Sequence, residues 1–245
     1  MELSVVIPAY NEAGNIKPLL AEIRKILDGY CLYEVICIDD FSTDDTAREL
    51  IAAKDDGFLQ LRIFRHTRNY GQSAGLLTGI RAARAPWVAT LDGDGQNDPG
   101  DIPRMLSRIR ISNRQPCLQL VVGCRTRRRD THLKRLSSRI ANGARRWVLK
   151  DDTSDTGCGI KIVSREAFLA LPYFDHMHRF LPALFQGYGG LVETVEVNHR
   201  LRQHGTSHYG VFDRLWIGIV DLFGVWWLLK RHRRVEFAEM HDEQH

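Results

Sequence analysis

Short β-branched runs alternate with amphipathic helical segments across about the first ninety residues, which predicts an α/β chain with a doubly wound, mostly parallel sheet and helices on both faces. Two further observations support this class. Three of the runs end in dense polar clusters, at Pro8-Ala9-Tyr10-Asn11-Glu12, Asp39-Asp40 and Asp92-Gly93-Asp94, as expected of a sheet whose ligands bind beyond the carboxyl ends of its strands. The chain of 245 residues also carries no repeat, low-complexity tract or evident linker, so one large domain is expected.

Each element has its own reason. Residues 3–7 form a β-branched run that reads as a buried strand closed by Pro8. Ile16, Leu19, Leu20, Ile23, Ile26 and Leu27 share one helical face, with Gly29 as the stop. Residues 33–38 read as a second buried strand. Residues 42–53 open with capping side chains and read as a helix. Residues 61–65 give a third strand, 73–83 a helix after the turn at 69–72, and 87–91 a fourth strand. Residues 211–235 read as an amphipathic C-terminal helix with a basic end, and 236–245 as a polar tail. The main domain is expected to span 1–210.

Composition narrows the function classes. A hydrophobic content of 44% and a charged content of 26% are ordinary for a globular protein. The net charge of +4 is small, but its distribution is uneven. Ten Lys or Arg and one acid, Asp130, fall between Arg125 and Lys150, and Lys230-Arg231-His232-Arg233-Arg234 forms a second basic run. Both patches point to anionic partners. The five cysteines form no Cys-x-x-Cys pair, which favours reduced thiols over a disulfide frame or a zinc site. Neither a signal peptide nor an apolar span long enough to cross a bilayer is read: 211–229, the nearest candidate, is interrupted by Asp213, Arg214 and Asp221. A dinucleotide fingerprint is ruled out because 8–15 contains only Gly14, and no P-loop pattern occurs.

The stretch TLDGDGQNDPGD, residues 90–101, concentrates like charges that need water, cations or a metal to offset them. If it is extended, Asp92, Asp94 and Gln96 point the same way and can converge on Mg²⁺ or Mn²⁺, which take hard oxygen ligands and complete their shells with water and phosphate. Glycines at 93 and 95 would admit a ligand close to the backbone. The competing reading is a solvated turn in which Asn97 and Asp98 cap the helix after Pro99.

VVIPAYNE (5–12), IDDFSTDDT (38–46), NYGQSAGLLTGI (69–80), LDGDGQNDP (91–99), GCRTRRRD (123–130), KRLSSRIAN (134–142), DTGCGIKIVSREAF (155–168), HRFLPAL (178–184) and HRLRQHGTSHYG (199–210) together resemble family 2 glycosyltransferases of the GT-A fold. The branch resembled is that of dolichol-phosphate mannosyltransferases and bacterial polyprenyl-phosphate glycosyltransferases. The resemblance implies inverting, metal-dependent transfer of a sugar from a UDP- or GDP-sugar to a polyprenyl phosphate, giving a lipid-linked sugar for envelope glycan or lipid modification. It implies that Pro8, Tyr10, Glu12, Asp39 and Asp40 hold the nucleotide. Asp92, Asp94 and Gln96 would bind the metal, with Asp92 also on the nucleotide side. Arg125, Arg135, Arg139, Arg202 and Ser207 would face donor or acceptor phosphates, and Asp94, Asp155 and Arg125 would stand at the reacting centre. His208 stands where the family often has lysine. Two roles stay open for Asp155, as an orienting group for the acceptor or as a prop for the loop that follows.

The C-terminal helix, with Trp216, Trp226, Trp227 and its basic end, fits an anionic membrane surface, so the chain is expected as a peripheral protein on the cytoplasmic face. Its competing reading is a terminal helix packed on the body or on a second copy, and the oligomeric state is left open. Two alternatives accompany the main reading. One is a family 2 enzyme with a non-lipid acceptor. The other is a basic membrane- or nucleic-acid-binding protein without catalysis, against which the acidic clusters count because they would repel nucleic acid.

Overall fold

The computed structural model describes residues 1–112, 117–125, 143, 145–151, 153, 155–200 and 211–233, with the backbone alone at 112 and 211–217. Its centre is a seven-stranded sheet in the order β3-β2-β1-β4-β6-β5-β7. The strands are β1 (Leu3–Ala9), β2 (Tyr33–Asp39), β3 (Leu61–Arg65), β4 (Trp87–Thr90), β5 (Leu118–Arg125), β6 (Lys161–Ser164) and β7 (Leu191–Val197). β1 and β2 are buried along nearly their whole length, and such near-continuous apolar strands belong in the middle of a parallel sheet covered on both faces.

The two faces separate cleanly. Leu3, Val5 and Ile7 join a core with α1 (Ile16–Leu27), α2 (Thr46–Asp55) and α4 (Ile102–Ser112). Val6, Ile36 and Ile38 point the other way, into a core with α3 (Gln72–Ala82), α5 (Arg165–Leu169), α6 (Leu181–Gly187) and α7 (Val211–Arg231). The alternation follows from the two-residue period of a strand. α3 lies close over β1 because two of its glycines leave room: a Cβ on Gly75 would stand 2.8 Å from the Cβ of Pro8, and one on Gly79 would stand 2.3 Å from Cγ1 of Val6.

Two sequence expectations are corrected. β1 does not close at Pro8 but runs through it to Ala9, because pairing with β4 ends at Val6–Thr90 and only β2 flanks β1 there. α2 begins at Thr46 rather than at 42, because the polar residues before it are used elsewhere. Ser42 Oγ accepts from the Asn11 N–H (3.0 Å), the Thr43 N–H donates to Asn11 Oδ1 (2.8 Å), and Asp44 accepts from the Ala13 and Thr46 N–H groups (3.1 and 3.0 Å). These bonds tie the loop after β2 to the loop after β1.

β6 decides what the site contains. It runs antiparallel to both β4 and β5, with Thr90 opposite Lys161 and Val122 opposite Lys161. The start of β6 therefore lies on the same rim as the carboxyl ends of β1, β2, β4 and β5.

α7 packs on the body through Leu222, Val225, Leu228 and Leu229, with Leu229 seated over Gly187 and His232 stacked on Tyr188 at 3.7 Å between ring centroids. Its other face exposes Ile219, Val220, Phe223, Trp226 and Trp227. No helix among the described residues is long and apolar enough to cross a membrane.

Gly79→Ala is expected to destabilise the fold by about 2 kcal/mol, since the new methyl group would overlap Val6 across the α3–β1 contact. Urea unfolding would show it as a lower midpoint at unchanged slope.

Candidate active site

The turn after β4 is held by three neighbours. Asn97 is buried and its Oδ1 accepts the Asp92 N–H (2.9 Å), while Gln72 Nε2 at the start of α3 donates to Asp92 Oδ1 (2.7 Å). Gly159 supplies the space: a Cβ there would stand 2.1 Å from Asp92 Oδ2 and 2.6 Å from Asn97 Oδ1. Gly93 sits against the end of β1, where a Cβ would lie 3.3 Å from both Glu12 Cγ and the Pro8 carbonyl oxygen. Gly93 thus packs closely between two strand ends. The acidic turn is thereby pressed onto the PAYNE loop.

The segment is not extended, which corrects the premise of the alternate-residue argument. It turns at 93–95, with Gly95 at φ +70°, because Asp94 Oδ1 captures the Gln96 N–H (3.1 Å). The Gln96 carbonyl accepts from the Arg200 N–H (3.0 Å), and Asn97 bridges to His199. The capping expectation for Asp98 holds: its Oδ1 accepts the Gly100 N–H (2.9 Å). Asp98 also pairs with Arg200 (2.8 Å), whose other branch pairs with Glu22 (2.6 Å).

Burial raises the Asp92 pKa to about 6, and the charge of Asp94 adds to the rise. Two neighbouring carboxylates at a strand end, with the charge of one holding up the pKa of the other, suit a divalent cation. Among the described residues no third His, Cys, Asp or Glu completes a protein-only cage. Mg²⁺ and Mn²⁺ accept that arrangement, because substrate phosphates and water supply the remaining oxygens. Asp92 and Asp94 would hold the ion.

The other candidate residues fall into two sets. Asp39 and Asp40 are buried. Asp39 accepts the Ser42 N–H (2.9 Å) and lies 3.1 Å from Arg65 Nε. Asp40 accepts the Tyr70 and Gly71 N–H groups (2.9 and 2.7 Å) and contacts His66 Nδ1 (2.6 Å), whose Nε2 meets Thr78 Oγ1 (3.0 Å). Its carboxylate thus builds the loop before α3. Tyr10 is exposed, Pro8 and Glu12 are half-buried, and Glu12 accepts from Asn15 Nδ2 (2.8 Å).

Arg125, at the end of β5, meets Asp155 in a bidentate pair, Nε to Oδ2 at 2.7 Å and Nη2 to Oδ1 at 2.8 Å, and the Arg125 N–H also donates to Oδ2 at 3.2 Å. Arg135, Arg139, Arg202 and Ser207 lie outside the described residues. Within the basic stretch, Arg145 points inward rather than to solvent: it is buried, pairs with Asp151 (3.1 Å) and donates to the Thr153 carbonyl.

A cavity of about 310 Å³ opens beside Asp92 and is lined by Gln72, Thr90, Thr156, Lys161, His178 and Arg179, with Leu76 and Leu181 behind them. His178 Nδ1 lies 2.8 Å from Ser73 Oγ, which also accepts the His178 N–H at 3.4 Å. Burial, with Lys161, Arg179 and His176 adding positive field, lowers the His178 pKa to about 3, so this ring is neutral at physiological pH. Sequence reading gave Asn97 only as a helix cap, whereas its Oδ1 serves Asp92, and did not single out Gln72, Gly159, Lys161 or His178. Each sat within a quoted motif, but only the fold shows that these motifs meet.

Residues 4–171 match the sequence model of the family described as Glycosyl transferase family 2. The chain belongs to glycosyl transferase family 2. It is 35% identical over 241 residues to a dodecaprenyl-phosphate galacturonate synthase of Rhizobium johnstonii, covering 96% of this chain and 69% of that protein. It is 32% identical over 212 residues to an undecaprenyl-phosphate 4-deoxy-4-formamido-L-arabinose transferase of Aeromonas hydrophila, covering 85% of this chain and 63% of that one. The chain thus spans roughly two thirds of the length of these relatives. Its fold is that of glucosyl-3-phosphoglycerate synthase from Mycobacterium tuberculosis. In its complex with Mn²⁺, UDP-glucose and phosphoglyceric acid that enzyme aligns with a TM-score of 0.66 at 20% identity, over 93% of this chain and 79% of that one. The same enzyme with Mg²⁺ and UDP aligns with a TM-score of 0.68.

Asp92→Asn tests the electrostatics of the turn. The folded-state pKa lies above the unfolded value, so ionising Asp92 disfavours the folded state: the penalty is absent below about pH 4 and complete above about pH 7. A shift of this size corresponds to roughly 2–3 kcal/mol. In chelator, the variant is expected to melt about 5 °C above the parent at pH 7.5 and level with it at pH 4.

Proposed function

We propose that this family 2 enzyme transfers a sugar from a nucleotide-sugar to the phosphate of a polyprenyl phosphate, with inversion, to make a lipid-linked sugar. The observation that carries the reading is the packing of the Asp92–Asp94 turn onto the loop after β1, between the Asp39-Asp40 rim and a cavity large enough for one sugar. A nucleotide, its diphosphate and its sugar would fit side by side along that edge of the sheet. The names of the two relatives support a polyprenyl phosphate acceptor, and their sugars differ from one another.

The chemistry asks little of the protein as a base. The acceptor phosphate, with a second pKa near ~6, is already largely ionised at neutral pH. Its oxygen forms the new bond to the anomeric carbon as the bond from that carbon to the diphosphate oxygen breaks, and the nucleoside diphosphate leaves with the electron pair. Asp92 and Asp94, with Gln96 as a further candidate ligand, would hold a divalent ion, which would supply Lewis-acid neutralisation of the leaving diphosphate. Pro8, Tyr10, Glu12 and Asp39 surround the nucleotide, and Asp40 shapes the wall beside it by fixing the Tyr70–Gly71 backbone. Arg125 offers its guanidinium to phosphate, and Asp155 holds that side chain in place by the bidentate pair. Asp155 is therefore a positioning residue. Arg135, Arg139, Arg202 and Ser207 are proposed phosphate contacts.

We place the catalytic domain at 1–210 and a membrane-contacting segment at 211–235. The support is the two-sided character of α7: one face packs on the body, while Ile219, Val220, Phe223, Trp226 and Trp227 remain exposed beside Lys230 and Arg231. A groove of about 580 Å³ between α7 and the helical residues 145–149 adds Trp147, 83% exposed, to that apolar surface. Apolar aromatics with a cationic border fit the headgroup region of an anionic cytoplasmic leaflet.

The assay is glycolipid formation by the purified chain from a panel of nucleotide-sugars and polyprenyl phosphate. Product is expected only with Mg²⁺ or Mn²⁺, with Asp92→Ala and Asp94→Ala each losing at least a hundredfold while keeping the parent's circular dichroism; undiminished turnover in chelator would refute metal dependence. A double-mutant cycle separates the roles of Asp155. If it acts through Arg125, Asp155→Ala combined with Arg125→Ala is no slower than Arg125→Ala alone, whereas multiplying losses would give Asp155 a direct part.

A further inference from the structure

The cavity beside Asp92 contains a charge that the transfer itself does not use. Lys161 stands at the first position of β6, paired with Thr90 of β4, is only 5% exposed, and lines the cavity. Its ammonium donates to the Cys158 carbonyl and forms no ion pair among the described residues. Asp92 and Asp155 act on it through space, but Arg125 opposes them, and burial lowers its pKa. A buried ammonium has three donors and a desolvation cost of several kcal/mol, which a single carbonyl does not offset. Arg179 lines the same cavity, and its field and that of Lys161 both reach His178. The cavity lining thus combines two cations with the carboxylate of Asp92.

Those charges suit different parts of a donor. The diphosphate belongs with Asp92, Asp94 and their cation, and the sugar then occupies the cavity that Gln72 and Thr156 also line. A neutral sugar would bring Lys161 no counter-charge of its own, whereas a carboxylate on the ring carbon joined to the anomeric carbon through the ring oxygen would supply one.

We propose that Lys161, with Arg179 beside it, recognises a carboxylate on the donor sugar, so that the preferred donor is a nucleotide-linked hexuronate. His178, held neutral and braced by Ser73, would hydrogen-bond a ring hydroxyl in the same cavity. This rests on the cavity being the donor-sugar site of the transferase reading.

The test compares kcat/KM of the purified full chain, with Mn²⁺ and polyprenyl phosphate, for UDP-galacturonate and UDP-glucuronate against UDP-galactose, UDP-glucose and GDP-mannose. A preference of at least tenfold for a uronate is expected, as for a site whose buried polar group goes unpaired with the wrong substrate. Lys161→Met removes a buried charge and should fold; it and Arg179→Gln are each expected to bring the uronate-to-hexose ratio down towards one. Transfer of a neutral hexose as fast as or faster than any uronate overturns the proposal and leaves the transferase reading standing. If none of the donors is transferred, calorimetric binding still decides: tighter binding of the uronate form supports the proposal, and equal affinities of UDP-galacturonate and UDP-galactose overturn it.

Discussion

Two carboxylates, Asp92 and Asp94, are held together at the end of β4 against their mutual repulsion, and the surrounding structure is organised to keep them there. Asn97 and Gln72 spend their side chains on Asp92, Gly159 forgoes a side chain to make room for it, and Gly93 wedges the turn onto β1. The arrangement raises the Asp92 pKa and so weakens the fold at neutral pH in the absence of a cation. Local strain of this kind persists where a ligand relieves it. Binding of a divalent ion would turn this unfavourable charge pair into a source of attraction.

The same logic extends outward from the turn. Asp40 engages two backbone N–H groups and His66 with its carboxylate, and so shapes the loop that leads into α3 and to Gln72. Arg125 and Asp155 form a second supporting pair, in which the acid fixes the fork of the base. Among the described residues of α7, Leu222, Val225, Leu228 and Leu229 pack on the body while Ile219, Val220, Phe223, Trp226 and Trp227 are exposed.

Much of the architecture was legible in the chain. The parallel strands announced themselves as unbroken apolar runs because both of their faces are covered, and α1 because its buried residues recur at helical spacing. The boundaries of α2 were misplaced because Ser42, Thr43 and Asp44 look like caps but serve as cross-links to the preceding loop. The acidic turn was found from its charge density, while its conformation was not: alternation assumes an extended backbone, and Asp94 bends the chain by binding the Gln96 N–H. Lys161 and His178 were missed for a different reason. Nothing local marks them, and they reach the rim only because β6 runs antiparallel and the turn before α6 packs under α3, facts of topology that no spacing rule encodes.

The central claim is that the end of β4 binds a divalent ion jointly with a diphosphate. Calorimetric titration of UDP and GDP into the purified chain, with and without Mn²⁺, measures it most directly. The account predicts that one of the two nucleotides binds at least tenfold more tightly with Mn²⁺ present and that Asp92→Asn abolishes the difference. Nucleotide affinity that is the same with and without metal, or a metal effect that survives the loss of Asp92, would contradict it.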